Sequence, residues 1–392
     1  MGLMNEYIDR RLSASDLEKE LLSLISQYNK IKDTNLFVYV ASLSKPFPDV
    51  PISQEDYYII CDLLKAKADS KNVDIYIETP GGSGEAAEEI VKFLRSKFDK
   101  VSFVISGEAK SAGTIIVLSG DEILMTETGS LGPIDAQVRI GRSIVSAYDY
   151  VEWVKNKKKE AEEKEKLNPF DATMIAQISP GELSGVIHSL EFAKELVIKW
   201  LTNYKFKTWT VTETKKLPVT KETKEKRAVE IAEELINHSK WRSHGRSIKI
   251  DDLEEIGLKI VRVDNNPKLS ELVYRIQTVC RLLFISTTIY KIFATDKEKL
   301  FKQAAQFTSP PQIPQQGVPE VVEIEQKCPK CGKIHKIYGK FITNPEIDKD
   351  FQKKGCIGFP KDNKLTCDCG FEIDLSGMRN EIEVKTGRKL IV

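Results

Sequence analysis

The 392-residue sequence predicts an α/β fold, because short apolar strands and amphipathic helices alternate along the first third of the chain. Residues 73–78, 101–105 and 122–125 are typical of buried strands, and the segments 85–97 and 111–118 between them have the apolar spacing of helices. This alternation indicates βαβ units, which place their strands in a parallel sheet.

The elements before this region fit the same fold class. Residues 15–32 carry apolar side chains at helical spacing, with Ser15 as the predicted N-cap. Residues 35–41 (NLFVYVA) are typical of a buried strand. A helix is predicted over 53–66, where Ser53 and Asp56 have the spacing of an acidic capping box.

After these units the chain becomes highly charged, from residue 148 to 167, and an apolar helical pattern resumes over 182–204. Residues 205–227 are basic and rich in threonine, which favours a loop or hairpin. Short helices over 227–235 and 252–258 and a strand over 258–263 follow. We interpret the charge runs as solvated helix faces.

Composition and charge exclude several classes of protein. Lys and Arg number 59 against 58 Asp and Glu, a balance that argues against a dedicated nucleic-acid binder. The longest apolar stretch, 282–293, is interrupted by Lys291 and is shorter than the roughly 20 residues of a membrane span. No secretory signal pattern is visible, and seven cysteines are too few for a disulfide scaffold. We therefore expect a cytoplasmic protein.

Two glycine-containing segments follow consecutive predicted strands. Residues 78–84 (ETPGGSG) join a strand to a helix, and adjacent glycines let the backbone turn tightly with amide N–H groups pointing outward. Residues 107–113 (GEAKSAG) place Ser111 at the start of an apolar helix, where the helix dipole favours negative charge on or near its hydroxyl. Taken singly, the first is also what a tight turn requires, and an isolated serine in the position of Ser111 would be interpreted as an N-cap. Ala109 excludes the nucleophile elbow of lipases.

Together these motifs resemble the Clp-protease/crotonase superfamily, in particular the serine dehydrogenase proteinase family of Clp-class peptidases, which is related to signal peptide peptidase A. The segment TGSLGPIDAQ (residues 128–137) strengthens this resemblance, which covers roughly residues 35–296. It implies a Clp/crotonase-like fold, a homo-oligomer, and a serine peptidase that cleaves peptide bonds through an acyl-enzyme on Ser111. It also implies that the backbone amides of Gly82 and Ala112 form the oxyanion hole.

The general base does not stand at the position where the Clp proteases carry it. Clp proteases carry a histidine after the nucleophile helix, where this sequence has Asp135. Residues 241–258 resemble the Clp stretch that holds the triad aspartate, and here this stretch offers His244. Asp and His thus exchange places, and the order Ser111, Asp135, His244 satisfies the order implied by the resembling family; triads are defined by geometry rather than by chain order.

Several alternatives stay open at this point. Asp135 is also a plausible turn or cap residue, and His244 a plausible exposed loop residue. A Ser–Lys dyad, as in signal peptide peptidases, would use Lys155 as the base. An acyl-CoA enzyme of the crotonase type, or an inactive scaffold that docks a partner, would use the same fold without a serine nucleophile. His188 and His238 are predicted to be surface or structurally satisfied residues.

The C-terminal cysteines predict a metal site. Cys328 and Cys331 form a C-x-x-C-G turn, and Cys367 and Cys369 form a second knuckle that begins 36 positions after Cys331. Two such pairs can surround Zn²⁺ tetrahedrally, which predicts a structural zinc ribbon. Cys356 or, less readily, His335 offers a substitute ligand. A redox C-x-x-C is the minority alternative, and the lysines around the knuckles are compatible with docking of a substrate or a partner protein.

The predicted organisation has four parts. They are an N-terminal helical segment (1–34), a peptidase domain (35–296) with a charged helical insertion (148–227), a linker (297–320) whose 308–320 segment is rich in Pro and Gln, and the zinc-ribbon domain (321–392).

Overall fold

The computed structural model describes residues 2–65, 71–135, 137–140, 143–212, 216–304 and 320–391. It divides into two compact units, Met1–Ala305 and Gln306–Val392. Most of the Pro- and Gln-rich segment predicted as a linker lies outside the described residues. No helix in the described part of the chain is long and apolar enough to cross a membrane.

The first unit is built on a seven-stranded sheet in which five parallel strands are followed at one edge by two antiparallel strands. The strands of this unit are β1 (Asn35–Ala41), β2 (Asn72–Glu78), β3 (Lys100–Ile105), β4 (Glu108–Ala109), β5 (Glu122–Met125), β6 (Ser130–Leu131), β7 (Gln137–Ile140), β8 (Ser143–Ser146), β9 (Val261–Arg262), β10 (Ile289–Ala294) and β11 (Lys299–Gln303). The sheet order is β11-β10-β1-β2-β3-β5-β9, while β4 pairs with β6 and β7 with β8.

Twelve α-helices are described in this unit, together with a π-helical turn (Leu201–Lys205) and a 3-10 turn (Val263–Asn265). The α-helices are α1 (Leu3–Asp9), α2 (Ala14–Lys32), α3 (Gln54–Lys65), α4 (Gly84–Lys97), α5 (Ala112–Leu118), α6 (Ala147–Lys164), α7 (Pro169–Ile175), α8 (Pro180–Trp200), α9 (Lys221–Ile236), α10 (His238–Trp241), α11 (Ile250–Glu255) and α12 (Pro267–Ser286).

The sheet has an apolar core on each face, because successive side chains of a strand point to opposite sides. In β1, Phe37 and Tyr39 join the core formed with α3, α4, α5, α8 and α9. Leu36 and Val38 join the other core, with α2 and α12. The predicted α/β fold of repeated βαβ units is therefore confirmed.

The structure differs from the sequence-based expectation at several element ends. The N-cap of α2 is Ser13 rather than Ser15, because Ser13 exchanges hydrogen bonds with Asp16 in a capping box. α9 begins at Lys221, inside the segment expected as a loop, because Thr220 caps it. Lys299–Gln303, beyond the expected domain end at residue 296, pair with β10 as an edge strand.

The second unit contains a three-stranded sheet and a separate hairpin. The sheet is β12 (Val321–Lys327), β13 (Ile334–Lys340) and β14 (Ile357–Gly358), the hairpin is β15 (Lys364–Thr366) and β16 (Glu372–Asp374), and the helices are α13 (Pro345–Lys353) and α14 (Ser376–Thr386). Its own small core includes Ile337, Phe341, Phe359, Leu365 and Leu375.

Candidate active site

Ser111 occupies a strained backbone position between β4 and α5. Its φ of 50° and ψ of −118° lie outside the regions favoured by residues with a side chain, and its hydroxyl makes no capping hydrogen bond. The cap interpretation therefore does not describe its side chain. Strain of this kind is concentrated at functional sites, where the surrounding structure enforces it.

The glycine turn after β2 packs directly against Ser111. Gly81 has a φ of 99°, and a Cβ added to it would lie 2.7 Å from the Ser111 Cβ. Gly82 has a φ of 150°, and its added Cβ would lie 2.3 Å from the Ile52 backbone nitrogen. The two sequence motifs therefore meet at Gly81, whereas Gly82 packs against Ile52, and each contact requires glycine.

Two backbone amides near Ser111 are available as donors. Ala112 is the first residue of α5, so its N–H has no acceptor within the helix. The backbone bonds beside Gly82 are made by its neighbours: Ile52 donates to the Gly81 carbonyl and Ser83 donates to the Ile52 carbonyl. Among the hydrogen bonds of the described residues, neither the Gly82 nor the Ala112 N–H is used.

A cavity of about 630 Å³ opens over these residues. Its walls combine the glycine turn, the start of α5, the Ile134–Asp135 segment, His244 and one side of α8. Ile115, Ile134, Phe192, Ala193 and Leu196 give it an apolar side, while Ser83, Glu85, Gln137, His188 and Ser189 are polar.

Asp135 and His244 face one another in this cavity. His244 Nδ1 lies 3.6 Å from Asp135 Oδ2, and the Asp135 side chain is fully buried whereas 29% of the His244 side chain is exposed. The other carboxylate oxygen, Oδ1, accepts a hydrogen bond of 2.9 Å from the Ser146 hydroxyl. A buried carboxylate held in this way can orient a neighbouring imidazole.

The loops that carry Ser111 and His244 are tied together by Lys110. Its buried ammonium group donates to the Arg246 carbonyl at 3.1 Å and to the Ser247 hydroxyl at 3.0 Å. Leu131 and Ile248 exchange backbone hydrogen bonds beside this contact. Burial lowers the pKa of Lys110. The Lys110 side chain therefore points into the protein, toward the loop of His244, and does not line the cavity.

The other residues that the sequence offered as candidates do not join the group formed by Ser111, Asp135 and His244. Lys155 is exposed on α6 and is not among the residues that line the cavity. His188 is exposed on α8 and does line it, which periodicity alone did not indicate. Sequence reasoning also missed Ser146, although its position before α6 as an N-cap was a usable signal.

The four predicted metal ligands come together in the second unit. The Sγ atoms of Cys328, Cys331, Cys367 and Cys369 all lie within 4.8 Å of one another. Cys328 and Cys369 are 3.7 Å apart, and Cys331 and Cys367 are 3.5 Å apart. Thiolates about 2.3 Å from a tetrahedral zinc lie about 3.8 Å from each other, so these residues fit the ion. Cys356 is buried outside the cluster.

Comparison with known proteins gives one family match and two partial relatives. Residues 50–180, about a third of the chain, match the ClpP-like SDH-type serine proteinases. Two uncharacterized proteins of Methanocaldococcus jannaschii, MJ0137 and MJ1495, are 37% and 33% identical over 87 and 99 residues. These segments cover 22% and 25% of this chain and 30% and 34% of the relatives, so the similarity spans about a third of their length.

Among solved structures, two mutants of the 1510-N membrane-bound stomatin-specific protease are similar. A serine-to-alanine mutant has 15% identity and a TM-score of 0.33, with 57% of this chain and 79% of that chain covered. A lysine-to-alanine mutant in complex with a substrate peptide has 16% identity and a TM-score of 0.33, with 56% and 74% covered.

The family match includes the glycine turn, Ser111 and Asp135. The sequence motifs had pointed to the same relationship. Residues 50–180 are thus similar to the ClpP-like SDH-type serine proteinases.

Proposed function

We propose that the protein is a serine peptidase in which Ser111 is the nucleophile, His244 the general base and Asp135 the residue that orients His244. The observation that carries the proposal is the 3.6 Å approach of His244 Nδ1 to the buried Asp135 carboxylate in the cavity that Ser111 lines. With Nδ1 turned to Asp135, Nε2 is the nitrogen left to exchange a proton with substrate and nucleophile.

The proposed reaction proceeds in two steps. Ser111 Oγ attacks the peptide carbonyl carbon as its proton moves to His244, and His244 then protonates the departing amine to leave an acyl-enzyme. A water molecule then attacks the acyl carbonyl as its proton moves to His244, and His244 returns that proton to Ser111 Oγ as the ester bond breaks and the acid product leaves. The Gly82 and Ala112 amides would stabilise the oxyanion in both steps, and losing one such donor typically costs about 2.7–4 kcal/mol in the barrier.

The same proposal covers substrate, assembly and location. The apolar and polar sides of the cavity suit a peptide chain, and the family resemblance supports a homo-oligomer. The seven unpaired cysteines support a reducing compartment such as the cytoplasm. Cys328, Cys331, Cys367 and Cys369 would hold a structural zinc ion, which stabilises the second unit by cross-linking its two knuckles.

Fluorophosphonate labelling tests the proposal. Wild-type protein should be labelled at Ser111, and Ser111→Ala should abolish labelling. His244→Ala and Asp135→Asn should slow labelling by at least 100-fold, because the hydroxyl then lacks an oriented base. The matched control is His188→Ala, a histidine on the cavity wall without a carboxylate partner in the described contacts, which should retain labelling within a fewfold.

Two outcomes would contradict the triad. Loss of labelling in Lys155→Ala but not in His244→Ala would identify a Ser–Lys dyad instead. A wild-type protein that resists labelling, and still does so when candidate partner proteins are added, would favour a scaffold or an acyl-CoA enzyme, and binding of a CoA thioester would separate these two.

A further inference from the structure

A buried ion pair lies beneath the glycine turn and has no part in the proposed proton transfers. Lys291 of β10 and Asp56 of α3 are both fully buried, and Lys291 Nζ lies 2.6 Å from Asp56 Oδ2. Lys302 of β11 lies 3.6 Å from the other carboxylate oxygen. Burying two charges is costly, and apolar residues of similar volume often stabilise a fold equally well. The pair therefore calls for an explanation other than stability.

The two charges hold the peptide groups on either side of Ile52. Lys291 Nζ donates to the Pro51 carbonyl at 3.0 Å. The Ser53 N–H donates to Asp56 Oδ2, also at 3.0 Å. Ile52 is thus fixed at both of its flanking residues by one ion pair, and its side chain is itself buried.

Ile52 in turn holds the segment around Gly82. Its N–H donates to the Gly81 carbonyl at 2.7 Å, and its carbonyl accepts from the Ser83 N–H at 3.0 Å. These two bonds form an isolated parallel bridge between Ile52 and Gly82. The absence of a Gly82 Cβ permits the close approach, since an added Cβ would collide with the Ile52 backbone.

We infer that Asp56 and Lys291 are positioning residues, whose ion pair sets the location of the Gly82 N–H through Ile52. The bridge engages the neighbours of Gly82 and leaves the Gly82 N–H available for an oxyanion. Because charge-assisted hydrogen bonds are stronger than neutral ones, the pair fixes Pro51 and Ser53 more firmly than a neutral contact would. This inference rests on the proposed function, in which Gly82 N–H is an oxyanion donor.

The test replaces the pair by neutral residues of similar shape. Asp56→Asn with Lys291→Met keeps an acceptor for Ser53 N–H and for the Tyr39 hydroxyl, which donates to Asp56 at 3.0 Å, but removes the hold on Pro51. We expect the fluorophosphonate reaction rate per labelled site to fall about 10- to 100-fold, somewhat less than the loss from deleting an oxyanion donor. The final labelling stoichiometry should be unchanged, whereas an unfolded fraction would lower it, and the substrate KM should be unchanged, whereas a distorted binding site would raise it.

The matched control exchanges an ion pair on the other side of the sheet. Glu6→Gln with Arg275→Met removes the bidentate contact of 2.9 and 3.0 Å between α1 and α12. This variant should keep the wild-type labelling rate within twofold. A folded Asp56→Asn/Lys291→Met protein with a wild-type rate would overturn the inference.

Hydrogen–deuterium exchange gives a second readout that does not depend on activity. Within residues 79–84, the Ser83 amide, which donates to the Ile52 carbonyl, should exchange at least tenfold faster in the double variant, while the amides of β3 (Lys100–Ile105) keep their wild-type rate. If wild-type protein is not labelled at all, the proposed function fails while exchange still decides whether the pair holds this turn.

Tyr39→Phe, which removes one hydrogen bond to Asp56, is the milder variant: it should raise exchange in residues 79–84 about twofold. If the double variant does not fold, unchanged exchange of residues 79–84 in the Tyr39→Phe protein would also overturn the inference.

Discussion

At the scale of single residues, the site depends on Gly81, where a side chain would not fit beside Ser111. Gly81 combines a positive φ of 99° with contacts that an added Cβ would make at 2.7 Å to Ser111 Cβ and 2.8 Å to the Lys110 carbonyl. Gly81→Ala should therefore displace Ser111, lower the free energy of unfolding by about 1–3 kcal/mol and slow fluorophosphonate labelling at least tenfold. Urea unfolding and labelling rates measure the two effects.

Gly181→Ala is the control for this substitution. Nothing lies within 4 Å of a Cβ added to Gly181, and α8 is helical there, so alanine should leave stability unchanged or raise it by up to about 1 kcal/mol. A Gly81→Ala protein with wild-type stability and labelling would show that the turn adjusts without moving Ser111.

Ser146 is the second residue with a testable role, because its hydroxyl donates to Asp135 Oδ1 while it caps α6. Ser146→Ala should slow labelling about 2- to 10-fold, which is the range expected from one net hydrogen bond. The rate of Ser111 labelling at fixed probe concentration is the measurement.

Loss of a helix cap alone costs about 1 kcal/mol of stability, so it needs its own control. Ser179→Ala removes the corresponding cap of α8, where the Ser179 hydroxyl accepts from the Glu182 N–H. It should destabilise to a similar degree without slowing labelling. Equal slowing in both variants would mean that capping, and not the bond to Asp135, accounts for the Ser146 effect.

At the scale of elements, the sequence was informative where one local signal determined structure. The apolar runs of β1, β2, β3 and β5 reflect strands buried on both faces. The glycine turn directly follows β2, and Ser111 comes six positions after the end of β3. The wall contributed by α8 could not be predicted, because its contact with the cavity depends on packing between segments about 80 residues apart. Local spacing predicts Asp56 as a capping residue. Its pairing with Lys291, 235 positions away, could not be predicted, because it also depends on packing between distant segments.

The end of β2 carries a carboxyl group whose ionisation should be visible in stability. Burial raises the pKa of Glu78 from 4.5 to about 7, although Arg281 Nη2, 3.1 Å away, opposes the shift. In the unfolded chain this group ionises near pH 4.5, so between about pH 4.5 and 7 the folded state binds the extra proton. Its contribution to stability is complete below pH 4.5 and is lost as the pH rises through 7.

Glu78→Gln should therefore match wild-type stability near pH 4 and exceed it at pH 8. At pH 8 the free energy of unfolding of the variant should exceed that of wild type by an amount on the order of 2–3 kcal/mol. Glutamine is neutral, so no buried charge has to be desolvated, and the half-exposed Arg281 remains solvated. Urea unfolding at the two pH values measures it. Equal stabilities at both pH values would mean that Arg281 compensates the buried carboxylate completely.

At the scale of the whole molecule, each unit has its own source of stability. The first unit buries two large apolar cores, one on each face of its sheet. The second unit has one small core, to which Cys328, Cys367 and Cys369 themselves contribute. A domain of this size buries too little apolar surface to be very stable unaided, so a metal cross-link is expected to account for much of its folding free energy.

Removal of zinc should therefore affect the two units differently. A chelator should release about one zinc ion per chain and raise hydrogen exchange throughout residues 320–391, while exchange in the two cores of the first unit and the labelling of Ser111 are retained. Cys328→Ser should reproduce this by removing one of four thiolates, whereas Cys356→Ser, a buried thiol outside the cluster, should keep the metal. Metal analysis of the purified variants distinguishes the two cysteines. Zinc retained by Cys328→Ser and lost from Cys356→Ser would assign the ligands differently, and a second unit that keeps its exchange protection without zinc would mean that its apolar core alone suffices.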